Sequence, residues 1–527
     1  MVNNTPFLRV KTFDNEHDHS AQDNMQVSHI NRSDLVASMI VDNIRTNRGK
    51  APNDIRNDLF HEYGVQLNYH QAWKVKERAL DNINGSVQQS YMLIPWLCNR
   101  LMEADPQTVA KRTSSVNNHF ERLFIAYGCC INGFLLGCRP ILYIDGCHLS
   151  GPYLGTLLAA STYDADNNLY PLAYAIVNGE TYEDWSWFLR NLKELIGSLQ
   201  ITIVSDRHNV IVGAVREVFG GSRHAFCYRH VKENFSAEFS KVCNEHRRRR
   251  KDDALKLLDK IACSRLDMDF VKAMGQLRSF SVDLARWVET QSDVDKWAMS
   301  RFQFRRWDNS TTNLAESFNA WLVKERRDNV CVLINEHRQK LAKKLYVANE
   351  AMGKWENGVG PKIEAILKEN VAQAEGMVVL DHGSGRMLVR IGQKDLRVNV
   401  ALRECTCQAW QMTGIPCPHA CAAIKSLHGN VYTYVEECYL LSSQQKIYMN
   451  TMIPVETHDM PNLNQLSLDD YRTNIFLQPL ITSRPPGRPK KKRRESQFQH
   501  QVQYQCSRCH QSRHNRASCT NPNPTEL

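Results

Sequence analysis

The sequence predicts an α/β protein of several units: a helical module near the front, a sheet domain interrupted by a helical insertion, and small cysteine- and histidine-rich modules toward the C-terminus. Three observations carry this expectation. The chain has 527 residues, and at about 150 residues per domain that is room for three or four folded units. From Pro140 onward, β-rich runs alternate with amphipathic helical stripes, the pattern of a sheet with helices packed on it. The 17 cysteines stand at uneven spacings behind a polar start, Met1 to His19, that has no signal-peptide pattern, so they ask for metal sites rather than a disulfide framework. Hydrophobic residues at 42% and charged residues at 23% exclude a wholly disordered, collagenous or coiled-coil body. No apolar run approaches the roughly 18 residues of a membrane span, so no membrane partner is expected.

Residues 28–110 read as a helical module, because Leu35, Met39, Ile40, Ile44, Ile55, Leu59 and Phe60 recur at three-to-four spacing with Asn and Pro breaks between. Both a helix-turn-helix unit and a plain packing domain fit that pattern. Beyond Pro140, Ile141 to Asp145, Thr156 to Tyr163 and Leu169 to Asn178 are β-rich, and Asp164 to Asn168 forms a turn between the second and third. Asp164, Asp166 and Asn168 resemble the start of a calcium loop, but the twelfth position is Ala175, where a bidentate Glu is required. A hairpin turn is therefore expected, and three antiparallel strands. Thr181 with Asp184 three residues on marks a capping box, and Trp185, Phe188, Leu189, Leu192 and Ile196 give the stripe of the helix it opens. A buried strand at Ile201 to Ser205, a helix at Val210 to Phe219 and a strand at Arg223 to Tyr228 complete the order βββαβαβ. Residues 232–308 are charged and helix-prone, an insertion, and residues 377–400 return to β character.

In a sheet of this order Asp145, ending the first strand, and Asp206, following the fourth, become neighbours. Glu316, in Thr311 to Asn319, projects about 200° around its helix from the buried Leu314. Three carboxylates of this kind suffice to hold Mg²⁺, and two such ions roughly 4 Å apart activate a water or 3′-hydroxyl for phosphodiester displacement, although from spacing alone turn-forming aspartates and a solvated glutamate fit as well.

Asp145-Gly-Cys-His-Leu149, the stretch from Tyr174 to Phe188 through Asn178-Gly-Glu-Thr-Tyr-Glu-Asp-Trp185, Ser205-Asp-Arg207, Cys227-Tyr-Arg-His230 and Asn313-Leu-Ala-Glu-Ser-Phe-Asn319 together resemble a plant Mutator-like element (MuDR) transposase. The resemblance implies a ribonuclease H-like DDE catalytic domain over 120–330 with its helical insertion at 232–308, and Asp145, Asp206 and Glu316 as ligands of catalytic Mg²⁺ or Mn²⁺. Cys227 and His230 match the family's Cys-x-x-His motif, for which shaping the active site, holding a DNA strand and structural packing all stand open. Pro6 to His19 resembles the end of the zinc finger that precedes the transposase body, so residues 1–20 read as its remnant, with His17 and His19 unmetallated. Pairing of two element ends implies a homo-oligomer.

Cys405-x-Cys407, nine residues, then Cys417-x-His419 supplies three thiolates and an imidazole, a valid tetrahedral Zn²⁺ set. It resembles a SWIM-type zinc finger, spanning 377–425, with Cys421 as a buried neighbour. Cys506, Cys509, His514 and Cys519 have the spacing of a CCHC zinc knuckle at 506–519, a second structural Zn²⁺ site of a kind that binds single-stranded nucleic acid. Arg513 replaces the Gly common before the His.

The formal charge is +10, and residues 471–527 hold 11 Lys/Arg against 2 Asp/Glu, which places +9 of it in the tail. Within it, Arg484, Arg488, Lys490, Lys491, Lys492, Arg493 and Arg494 give seven positive charges in eleven residues around Gly487-Arg-Pro489. An extended Pro-flanked Arg fits a narrow A·T-rich minor groove, so residues 484–494 resemble an AT-hook. Pro489 to Arg494 also reads as a nuclear import signal, and a solvated basic linker is the third reading.

Two functions follow, since a third, ribonuclease-type hydrolysis of RNA–DNA hybrids, shares the implied fold but leaves the SWIM finger and AT-hook unexplained. One is a nuclear DNA transposase acting on double-stranded DNA by metal-dependent hydrolysis and strand transfer at element ends. The other is a domesticated nuclear DNA-binding transcriptional regulator of the far-red impaired response type, which resembles the same transposases. Deleting 484–494 is expected to weaken duplex binding for all sequences and to flatten its salt dependence by about 0.9 in log–log slope for each phosphate the shortened chain no longer neutralises. A salt titration of duplex affinity checks this, and an unchanged slope assigns the segment to the linker reading.

Overall fold

The structure is a computed structural model that describes residues 32–47, 49–85, 87–150, 155–242, 248–461 and 476–479. The 1–20 remnant, the basic segment 484–494 and the knuckle set Cys506, Cys509, His514 and Cys519 lie outside the described residues. Two units divide the chain, 1–89 and 90–527.

In the first unit, α1 (Arg32–Thr46), α2 (Pro52–Tyr63) and α3 (Tyr69–Asn84) bury Val36, Ala37, Ile40, Ile44, Ile55, Leu59, Val75 and Ala79 together. Pro52 at the first position of α2, where a missing N–H costs nothing, and Gly64 in the left-handed region just after it set that helix's ends. Asn68 and Gln71 close a capping box on α3, each bond 2.9 Å. The apolar face differs from the expected one: Leu35, Met39 and Phe60 are exposed. Positions 36, 37, 40 and 44 form one stripe on α1, and the small Ala37 lets α3 approach, so the larger neighbours on either side are left in solvent.

Helix α4 (Val87–Ala104), which lies in the second unit from Ser90 on, leads to β1 (Val109–Ser114), β2 (Phe120–Ala126) and α5 (Gly128–Gly137). The β-rich runs read from the sequence follow as β3 (Ile141–His148), β4 (Thr156–Tyr163) and β5 (Leu169–Val177), all antiparallel. Then come α6 (Tyr182–Ile196), β6 (Thr202–Ser205), α7 (Asn209–Phe219) and β7 (His224–Phe226). Strand order in this seven-stranded mixed sheet is β1-β2-β5-β4-β3-β6-β7, with β6 parallel to β3 and β7 parallel to β6. The first two strands carry no alternating signal: β1 reads Val-Ala-Lys-Arg-Thr-Ser, an edge strand whose charges discourage further pairing. On α6 the Thr181 hydroxyl accepts from the Asp184 amide at 3.1 Å, as a cap should. Reciprocation differs from a capping box, because the Asp184 carboxylate accepts from the Thr181 hydroxyl and from Arg122 on β2.

The insertion comprises α8 (Tyr228–Val242), α9 (Arg248–Cys263), α10 (Asp267–Phe280) and α11 (Val282–Gln291), packed around Phe235, Leu258, Leu277, Trp287 and Trp297. Next come α12 (Asn313–Trp321), α13 (Val330–Ala351) and α14 (Pro361–Gln373). Beyond them, β8 (Val378–Asp381), β9 (Arg386–Ile391), β10 (Lys394–Asn399) and β11 (Glu404–Cys405) form a second, antiparallel sheet, order β11-β10-β9-β8. Helices α15 (Ala409–Thr413), α16 (Pro418–Ser426) and α17 (Leu441–Tyr448) complete the described elements.

The Asp164 turn is a clasp. Its carboxylate accepts from the amides of Asp166 and Asn168 at 3.0 and 2.7 Å, and from Gln444 and Tyr448 of α17 at 3.1 and 3.0 Å. Asp166 in turn accepts from the Lys362 amide at 2.8 Å, capping α14. Both acids that resembled calcium ligands are thus spent on backbone and side-chain donors.

His337 of α13 sits among Tyr127, Tyr174, Phe318 and Trp321, with ring centroids 4.7 to 5.9 Å away. It is fully buried and neither ring nitrogen has a hydrogen-bond partner. Burial pulls its pKa from 6.5 down to about 3, with Lys340 adding to the effect. A depressed histidine leaves the folded state holding fewer protons than the unfolded one, so its contribution is present above about 6.5 and lost as pH falls toward about 3. His337→Phe keeps the aromatic packing and removes the proton site. Acid unfolding followed by circular dichroism should start at lower pH in this variant than in the wild type.

Candidate active site and metal centre

Parallel pairing of β3 with β6 sets Tyr143 opposite Val204, so Asp145 and Asp206, each two residues further on, lie side by side just beyond the end of that pairing. Asp145 lies inside β3 rather than at its end, since the strand continues to His148 against β4. Burial pushes the Asp145 carboxyl up to about 6, and the Asp206 charge adds to that, with Glu180 contributing less. Two like charges held this close favour a shared proton or a shared cation. The Asp206 carboxylate accepts from the His208 amide at 3.0 Å, which fixes one of its oxygens.

Glu316 comes from α12, whose buried residues Leu314, Ala315 and Phe318 turn toward the sheet. One turn further along that helix, the Asn319 amide donates to Asp145 at 2.8 Å while its carbonyl accepts from Cys147 at 3.2 Å. The Glu316 carboxylate is ion-paired with Arg229 at the start of α8. So the structure sets Asp145 and Asp206 on paired strands and carries Glu316 on the helix whose Asn319 reaches Asp145, with the Glu316 carboxylate itself paired to Arg229. Among the described residues, the one group of three or more His, Cys, Asp or Glu with all ligand atoms within 4.8 Å of one another is a different one, described below.

Cys227 and His230 flank this site. The Cys227 thiol is wholly buried and accepts from the Thr312 amide, just before α12, at 3.2 Å. Burial raises its pKa, but the hydrogen bond and charge of His230, with the Thr312 contacts, outweigh burial and bring it down to about 7. For His230 burial pulls the pKa down, and Cys227 overcomes it and raises it. The pair ties β7 and α8 to the start of α12, and His230 lies close enough to Asp145 to favour its ionised form.

Three polar residues escaped the sequence reading. Asn319 and Arg229 stood inside the family motifs without an assigned role. Glu180 precedes α6, and its carboxylate lies so near β3 that a side chain at Gly146 would meet it at 3.0 Å. The motif around Asn178 was the available signal for Glu180; nothing in spacing pointed to the other two.

In the second sheet's neighbourhood, Cys405 ends β11, Cys407 follows in the turn, Cys417 caps α16 and His419 lies in its first turn. All four ligand atoms lie within 4.8 Å of one another. Cys407 Sγ is 3.5 Å from Cys417 Sγ, and His419 Nδ1 is 3.6 and 3.8 Å from the sulfurs of Cys405 and Cys417. A tetrahedron with Zn–S bonds of about 2.3 Å has S···S edges of about 3.8 Å, so these four atoms are already at ligand spacing. Gln411 locks Cys405 from behind, accepting from its amide at 3.2 Å and donating to its carbonyl at 3.0 Å. Cys421 is buried and turned to the Pro416 carbonyl, outside the set, as expected.

Compared with known families, residues 141–234 match the MULE transposase domain and residues 393–428 match the SWIM zinc finger. The chain carries a MULE transposase domain and a SWIM zinc finger. This pairing is consistent with a Mutator-like transposase, and a transposase domain implies DNA binding. The MULE match contains Asp145, Glu180, Asp206, Cys227, Arg229 and His230, and it ends before Glu316; the SWIM match contains all four clustered ligands. A search of curated proteins finds no match. No helix among the described residues is long and apolar enough to cross a membrane.

Because a tetrahedral site missing one thiolate binds its ion poorly, Cys417→Ser in the full chain should lower the bound zinc by one equivalent, measured by elemental mass spectrometry. Metal binding supplies folding energy, so hydrogen exchange at β10 and α16 should quicken in the same variant.

Proposed function

We propose that the protein is a DNA transposase of the Mutator-like class, which hydrolyses a phosphodiester at an element end and directs the freed 3′-hydroxyl at target duplex. The observation that carries this reading is the β3–β6 pairing inside the MULE match, which sets Asp145 beside Asp206. The run β5-β4-β3-β6-β7, antiparallel through β3 and parallel beyond it, supports a ribonuclease H-like DDE core interrupted by α8 to α11.

Asp145, Asp206 and Glu316 offer only oxygen donors, the chemistry that Mg²⁺ and Mn²⁺ select. When bound, such ions lower the pKa of an attacking water and neutralise charge on the leaving oxygen. The chain's own part is to hold those carboxylates: Asn319 fixes one oxygen of Asp145, the His208 amide fixes one of Asp206, and Arg229 holds Glu316. Cys405, Cys407, Cys417 and His419 hold a structural Zn²⁺, and the knuckle residues a second. The tail beyond residue 484 adds duplex affinity and nuclear import, and two copies of the chain pair the two element ends.

Asp145→Asn, Asp206→Asn and Glu316→Gln each remove a ligand charge and keep shape. Each is expected to reduce Mg²⁺-dependent strand cleavage at least about a thousandfold, the loss that about 4 kcal/mol of transition-state stabilisation brings, while thermal midpoint and duplex binding change little. Cleavage at the wild-type rate by one variant removes that residue from the triad. A wild-type chain that binds duplex and cleaves none supports the regulator reading instead.

A further inference from the structure

Arg229 is the most buried cation at the site, with 9% of its side chain exposed, against 22% for its partner Glu316. Its guanidinium pairs with Glu316, a second hydrogen bond reaches His230 Nε2 at 3.0 Å, and its Nε has no partner. A guanidinium stays protonated in every accessible pH range. In a poorly hydrated setting, stripping either member of such a pair leaves an uncompensated charge. A divalent ion approaching Glu316 therefore meets a carboxylate already satisfied and a fixed positive charge beside it. The same pairing turns Glu316 toward α8, in keeping with three acids that are not gathered within ligand spacing of one another.

We propose that Arg229 is a positioning residue that acts as an internal counter-ion, competing with the divalent metal for the Glu316 carboxylate and so setting the affinity of the third ligand position. This rests on the reading of Glu316 as a metal ligand. Arg229 sets the orientation of Glu316 while it holds it, and once a divalent ion takes the carboxylate the guanidinium is left with unused donors facing the site, where a DNA phosphate is the complementary group. Removing the guanidinium is thus expected to have opposite effects on two quantities. Metal affinity rises because a competitor has gone, and cleavage falls because a positioning group has gone. A residue that merely supported the fold would lower both.

The test uses the full chain without DNA, measuring Mn²⁺ affinity at the site abolished by Asp145→Asn, by electron paramagnetic resonance of free Mn²⁺. Arg229→Gln keeps a donor for Glu316 and removes the charge. It should bind Mn²⁺ at least about fivefold tighter than the wild type, because no fixed cation then competes with the metal for the Glu316 carboxylate. Glu316→Gln should bind it more weakly, and the double variant no more tightly than Glu316→Gln alone. Folded Arg229→Gln with unchanged or weaker Mn²⁺ binding overturns the proposal. Wild-type affinity in Glu316→Gln overturns the underlying ligand assignment, which separates the two failures. If Arg229→Gln does not fold on its own, millimolar Mn²⁺ should restore its circular dichroism spectrum by supplying the missing counter-charge, and a spectrum that stays unfolded also counts against the proposal.

Discussion

The parallel hydrogen bonding of β3 to β6 is the constraint on which the rest of the molecule depends. Strand β3 pairs antiparallel with β4 on one side and leaves its other side to a strand from elsewhere in the chain. That strand comes after β5 and α6, and it must run in the same direction. The cost is the closure of a long loop, and the return is that two acids far apart in sequence come together where the β3–β6 pairing ends. Burial of the strands then fixes the register: Ile141, Leu142, Tyr143, Ile203 and Val204 are all nearly inaccessible, and a slip by one residue would turn Asp145 toward the opposite face.

Around that point the protein manages an accumulation of negative charge. Asp145, Asp206 and Glu180 approach one another, and their mutual repulsion adds to burial in a carboxyl that resists ionisation. The chain answers with neutral donors for the two aspartates and with a full positive charge for Glu316. The division follows from location. The aspartates sit where an amide side chain and a backbone N–H are at hand, whereas Glu316 faces Arg229 in the first turn of α8.

Much of this architecture was legible in the sequence, and the reason is periodicity. Strands β3 to β5 and helices α6 and α7 advertise themselves because their buried side chains form unbroken apolar runs or recur at regular helical intervals. The four clustered zinc-type ligands were legible because metal geometry dictates spacing. What stayed hidden was polar and long-range: Asn319 meets Asp145 across 174 residues, and a lone amide on a helix announces no partner. Strand β1, polar and at an edge, lacked the alternation that reveals its neighbours, and on α1 the small Ala37 rather than Leu35 or Met39 marked the packed face.

Helix α14 belongs to two cores at once. Its Ile363 and Leu367 pack with Ile141 and Tyr143 of β3, while Val371 and Ala374 at its other end pack with Val389, Cys417 and Ala420, and Asn370 donates to the Pro416 carbonyl at 2.9 Å. The span that matches the SWIM family begins at residue 393, well after this helix ends. A recombinant fragment cut at that span would forfeit the apolar floor beneath α16, and the remainder would be left with a greasy helix end in water. A fragment that keeps both the four clustered ligands and this floor therefore starts no later than Pro361.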